Sequence, residues 1–105
     1  TNYKMHDMKL NKRVLKEGIT SILGASDLDF YRLWYALDRT HWAKAYGIEL
    51  DEWRALRRDY GVSIVNAFIE VLDELIAAGR ISRKIDYRAE GCCLRTPRFL
   101  YHLIS

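Results

Sequence analysis

Seven apolar residues, Ile64, Val65, Phe68, Val71, Leu72, Leu75 and Ile76, fall on one face at helical spacing, with Gly61 and Gly79 on either side of them. A run of this kind is satisfied only by an amphipathic helix whose apolar face is covered by the rest of the chain. Gly61-Val62 reads as a tight turn, since Gly supplies the positive φ that a chain leaving a helix commonly needs. Ser63 can then accept a backbone N–H bond and cap a helix over 63–78. Gly79 ends that helix, and Arg80-Ile81 starts an extended segment.

The remaining segments supply the cover. Met8, Leu15, Ile19, Ile22 and Leu23 form a stripe that predicts a helix over 8–23, behind a possible Asp7 cap, weakened by Gly18 and stopped at Gly24. Ser26-Asp-Leu-Asp29 has the form of a capping box for a helix over 27–45, with Gly47 beyond its end. Phe30, Leu33, Trp34, Leu37 and Trp42 fit its buried stripe, and Tyr31 and Tyr35 on the flank are expected to extend the core. Ile48-Glu-Leu50 is assigned to a short strand, and Asp51 to the cap of a helix over 52–60 that buries Trp53, Leu56 and Tyr60. Ile81, Ile85 and Tyr87 alternate with polar residues, as do Phe99, Tyr101 and Leu103. Ala89-Glu-Gly91 offers the turn between them, and Pro97 marks an edge or a bulge.

A chain of 105 residues, half of them hydrophobic and with one Pro, is expected to be a single folded domain over 1–105. Within it, 1–25 is a basic N-terminal helix region, 26–79 the helical core and 80–105 a terminal hairpin. No apolar run approaches the ~18 residues of a membrane span, and the N-terminus lacks the pattern of a secretory signal. The expected location is therefore cytoplasmic. The net charge of +3 is unevenly spread: residues 1–18 carry +3, residues 19–79 carry −4 and residues 80–105 carry +4. Basic ends of this kind suit a polyanionic partner.

Chemistry of other kinds finds little support. His6, His41 and His102 belong to no short metal-ligand pattern, and no Gly-rich phosphate loop occurs. Cys92 and Cys93 are adjacent, which strains any disulfide between them, so they are read as reduced thiols near the hairpin turn. Asp27/Asp29 and Asp51/Glu52 stand at expected helix starts, where the helix dipole favours acids. No enzyme, cofactor or metal is expected.

A helix, a Gly turn, a Ser-capped helix, Gly79 and then a hairpin resemble the second half of a winged helix-turn-helix domain. The resemblance covers roughly residues 27–104. It implies a mainly α fold with a small β-hairpin, here with an extra N-terminal helix. It also implies duplex DNA as partner, the 63–78 helix entering the major groove and the wing gripping the flanking backbone. Its groove-facing positions fall on Ser63, Asn66, Ala67 and Glu70, and Asn66 has the amide that can pair bidentately with adenine. Phosphate contacts would come from Arg54, Arg57 and Arg58 and from Arg83, Lys84, Arg88, Arg95 and Arg98. This chain departs from the pattern in one respect: its 63–78 helix has no Lys or Arg and carries Glu70, Asp73 and Glu74. Two readings stay open. One is a small transcriptional or replication regulator that binds DNA as a homodimer through the N-terminal helix. The other is a protein-interaction module using the acidic 63–78 helix and the aromatic 27–45 helix.

Overall fold

The computed structural model describes residues 9–38, 41–85 and 99–104. Four helices and a small antiparallel sheet follow in the order α1 (Lys12–Ala25), β1 (Leu28–Asp29), α2 (Phe30–Asp38), α3 (Trp42–Tyr46), α4 (Leu50–Ala77), β2 (Ile81–Ile85) and β3 (Phe99–Leu103). The sheet order is β1-β3-β2, with Leu28 opposite Tyr101 and Ile81 opposite Leu103. The fold is thus mainly helical with a small sheet closing one side. No described helix is long and apolar enough to cross a membrane.

Helix α1 buries Leu15, Ile19 and Leu23 in the common core, as its stripe requires, and turns Arg13, Glu17 and Ser21 outward. It starts four residues later than the sequence predicts and runs past Gly24 to Ala25. Gly18 has a purpose that periodicity does not reveal. A Cβ built there would lie 2.6 Å from Cδ2 of His41, so α1 approaches the start of α3 only because no side chain intervenes.

The expected strand at 48–50 is instead the connector into α4. Gly47, at φ 68° and ψ 34°, ends α3 in the left-handed region and turns the chain there. The short strand lies earlier, at Leu28–Asp29, where it pairs with β3. Asp29 then acts as the cap itself, its Oδ1 accepting from the Arg32 N–H at 2.8 Å, so the start signal falls one turn later than the capping box implies.

The single helix expected over 27–45 is two helices. Leu33 and Leu37 predict the next buried position near 40 or 41, yet Trp42, Ala45 and Tyr46 are the buried residues. A break between α2 and α3 shifts the helical phase and brings Trp42 inward. Trp42 lies flat against Trp53 of α4, centroids 5.2 Å apart and planes 2° apart, and Tyr46 stacks on both. Trp34 and Phe68 pack against Trp42 at 5.1 and 5.8 Å. Tyr31 and Tyr35, by contrast, are 60% and 64% exposed and do not extend the core.

The largest correction concerns α4. The helices expected over 52–60 and 63–78 are present as two helical segments, but they meet directly at a kink at Tyr60 (φ −128°, ψ 31°), without the expected turn over 61–63. Gly61 does not take a positive φ, and Val62 and Ser63 lie inside the helix, so Ser63 caps nothing. One distorted residue redirects the axis while Trp53 and Leu56 before it, and Ile64, Phe68, Val71, Leu72 and Leu75 after it, remain buried. Gly79 ends the helix as expected. With φ 71°, it lets its own N–H reach the Ile76 carbonyl and the Arg80 N–H reach that of Leu75.

The hairpin expectation survives where the strands are described: Ile81 and Tyr101 are buried, while Ile85 is exposed. Tyr87, the 89–91 turn, Cys92, Cys93 and Pro97 lie outside the described residues.

The contact at Gly18 gives a direct check. Gly18→Ala should gain up to about 1 kcal/mol of helix propensity but force the His41 ring and its backbone apart, an overpacking cost of about 1–3 kcal/mol. Thermal denaturation should show a lower Tm; an increase would mean that α1 and His41 are not in this contact.

Candidate nucleic-acid interface

The outer side of α4 is defined by what its inner side buries. Opposite Ile64, Phe68, Val71 and Leu75, the residues Val62, Asn66, Ile69 and Asp73 recur turn by turn, and all four are exposed. Ser63 is exposed on the flank of this row, and Ala67 is half-buried further round.

Glu70 and Glu74 are drawn away from that row toward α1. Lys12 Nζ donates to Glu70 Oε1 and to Glu74 Oε2, both at 2.8 Å, and Lys16 Nζ donates to Glu74 Oε1 at 3.1 Å. These bonds, the Glu70 bond foremost, raise the Lys12 pKa. Glu74 is held below the ordinary glutamate value, chiefly by the Lys12 bond and then by that from Lys16. The groups are solvent-accessible, so their pairing contributes little to stability. Its larger effect is on the field: two of the three acids of this half-helix face cations of the same chain.

The expected phosphate-contacting residues divide into distinct environments. Arg54 and Arg58 are exposed on the first half of α4, with only loose pairing to Asp51 at 3.9 Å and to Asp59 at 3.3 Å. Arg57 does not join them. Its Nη1 donates to Asp38 Oδ2 at 2.5 Å, while Trp53 Nε1 donates to Asp38 Oδ1 at 2.7 Å, so Arg57 is part of the joint between α2 and α4. Arg83 and Lys84 are both exposed but, being adjacent in a strand, project from opposite faces of the sheet.

Arg83 is the better placed. Its guanidinium lies 4.5 Å from the Phe99 ring centroid, and Arg83 stands opposite Tyr101 in the ladder. Burial pushes the Tyr101 hydroxyl pKa up; the nearby Arg83 guanidinium opposes this and the charge of Asp73 adds to it. Arg83 and Asp73, the last residue of the α4 row, therefore act on one hydroxyl, and the row ends beside the strand. Arg80, just before β2, is exposed as well. Arg88, Arg95 and Arg98 lie outside the described residues. Among those described, no group of three or more His, Cys, Asp or Glu is arranged to hold a metal ion.

Val62 and Ile69, 78% and 41% exposed, belong to the candidate surface but were not singled out from the sequence. The signal was present, since they fall on the side opposite the buried stripe. Reading 61–63 as a turn broke the register for Val62. No protein family, curated protein or solved structure matches this chain.

Glu74 reports on the arrangement. Its depressed pKa means that the pairing adds stability above the ordinary glutamate range and loses it as pH falls through the depressed value. An NMR titration should place the Glu74 midpoint below that of an unperturbed glutamate, and Lys12→Ala should move it upward. A midpoint already ordinary in the unmodified chain would contradict the contact.

Proposed function

We propose that this protein binds duplex DNA through the outer row of α4, in a winged arrangement with the β2–β3 hairpin alongside. The observation that carries the reading is the engagement of Glu70 and Glu74 by Lys12 and Lys16. An acidic helix opposes the phosphate backbone, whose contacts dominate affinity; with those two acids compensated, Asp73 is the one acid left on the row. The exposed cations Arg54 and Arg58 before the row and Arg80 and Arg83 beyond it then supply phosphate contacts. Asn66 stands between them to contact bases. Occupying a site in this way suits a small regulator of transcription or replication. A homodimer on paired half-sites belongs to the same proposal, with exposed Tyr31 and Tyr35, rather than the polar outer side of α1, as its apolar surface.

That tyrosine pair also favours a second reading, a protein-interaction module. Two aromatic rings one turn apart are a common anchor at protein interfaces. In that reading Glu70 and Glu74, already bonded to lysines, are poor anchors for a basic partner.

Fluorescence anisotropy with random-sequence duplex separates the readings. Binding should be evident at ~50 mM salt and fall steeply by ~200 mM, and Arg54→Ala and Arg58→Ala should each lower the salt slope by about one. Lys12→Ala with Lys16→Ala should weaken binding several-fold, and adding Glu70→Gln with Glu74→Gln should restore most of it. That rescue is expected only if the lysines act by compensating the acids. No duplex binding by the unmodified protein at ~50 mM salt would overturn the proposal and leave the interaction module.

A further inference from the structure

We infer that the row Val62, Asn66 and Ile69 selects A·T base pairs, with Asn66 pairing to adenine and the two aliphatic side chains lying against thymine methyl groups. The inference rests on the DNA-binding reading above and specifies the sequence class that the surface would choose.

Three features carry it. Asn66 is the only Asn or Gln in α4, and its amide presents the donor and acceptor that match adenine N7 and N6 in the major groove. Val62 precedes it by one turn and Ile69 follows it by one, both exposed on the same side. An isolated exposed Val or Ile is ordinary, but here the two bracket the one side chain equipped to read a base. The major-groove edge of thymine is distinguished by a methyl group, which apolar side chains contact. The third feature is what the helix lacks. From Gly61 to Ala77 there is no Arg or Lys, the residue types that make the commonest contact to guanine.

The dimensions agree. From Val62 to Ile69 the helix advances about 10 Å, close to the rise of three base pairs at 3.4 Å each. A helix lying along the groove would thus place an aliphatic group, an amide and a second aliphatic group over about three successive pairs. Asp73, one turn beyond Ile69, can accept from the amino group of cytosine or of adenine, so it admits either base pair at the margin of the site.

Selection from a pool of duplexes with a randomised core should enrich cores with adjacent A·T pairs. Anisotropy on an enriched duplex should then show binding about ten-fold or more tighter than to the same duplex with a G·C core. Replacing the core thymines by uracil removes only the methyl groups and should weaken binding several-fold. Val62→Ala with Ile69→Ala should bind the thymine and uracil duplexes alike. Asn66→Ala should lose discrimination against 7-deazaadenine, which lacks the acceptor that the amide uses. All three positions are exposed, and circular dichroism of each variant checks that the fold is kept. Enrichment of G·C cores, or thymine and uracil duplexes binding the unmodified protein equally, would overturn this inference while salt-dependent duplex binding stood. Absence of binding to any duplex would overturn it together with the functional proposal.

Discussion

The flat stack of Trp42 on Trp53 is the contact on which the rest of the structure depends. It fastens α3, only five residues long, to the first half of α4, and Tyr46 and Trp34 close around it. Through Phe68 it also reaches the second half of the same helix. Both halves of α4 therefore pack on one aromatic cluster, and a kink at Tyr60 suffices to keep them there. The cluster has an energetic cost as well: Trp42 Nε1 and the Tyr46 hydroxyl are buried with no hydrogen-bond partner among the described residues. Each such group costs about 1–3 kcal/mol, which the burial of several large rings offsets.

Electrostatics then determine what the outside of α4 offers. Lys12 and Lys16, one turn apart on α1, face Glu70 and Glu74, one turn apart on α4. The match works only because α1 lies close against the other helices, and Gly18 permits that approach to α3. A core contact and a surface field are linked in this way. The same logic explains Arg57, whose charge is held by Asp38 beside the Trp53 indole, so that it serves the helix joint.

Much of this was legible in the sequence. The stripe from Ile64 to Leu75, the stop at Gly79, the core residues of α1 and the extended tail all follow from periodicity and from the freedom of Gly at positive φ. The misreadings share a cause, namely that local signals were tested without their tertiary partners. Gly61 looks like a turn, but packing on both sides of it carries the helix through. Ile48-Glu-Leu50 has strand-forming residues, yet Gly47 turns the chain toward α4, and β3 finds its partner at Leu28 instead. Tyr31 and Tyr35 resemble core aromatics because size and spacing do not record which flank of a helix is covered. For the candidate surface, Asn66 and the Arg54 and Arg58 cations were visible. The compensation of the acids was not, since it joins residues 58 and 62 positions apart.

The account turns on helical backbone running through 61–63, with Tyr60 the one non-helical residue between the two segments of α4, because that places exposed Val62 and Asn66 on a helix directly behind Arg54 and Arg58. Backbone 13Cα chemical shifts across residues 56–68 test it most directly. Such a backbone predicts helical shifts through Gly61, Val62 and Ser63, with Tyr60 alone departing. Non-helical shifts extending over 61–63 would show a turn between two helices, and would remove the surface on which the functional reading stands.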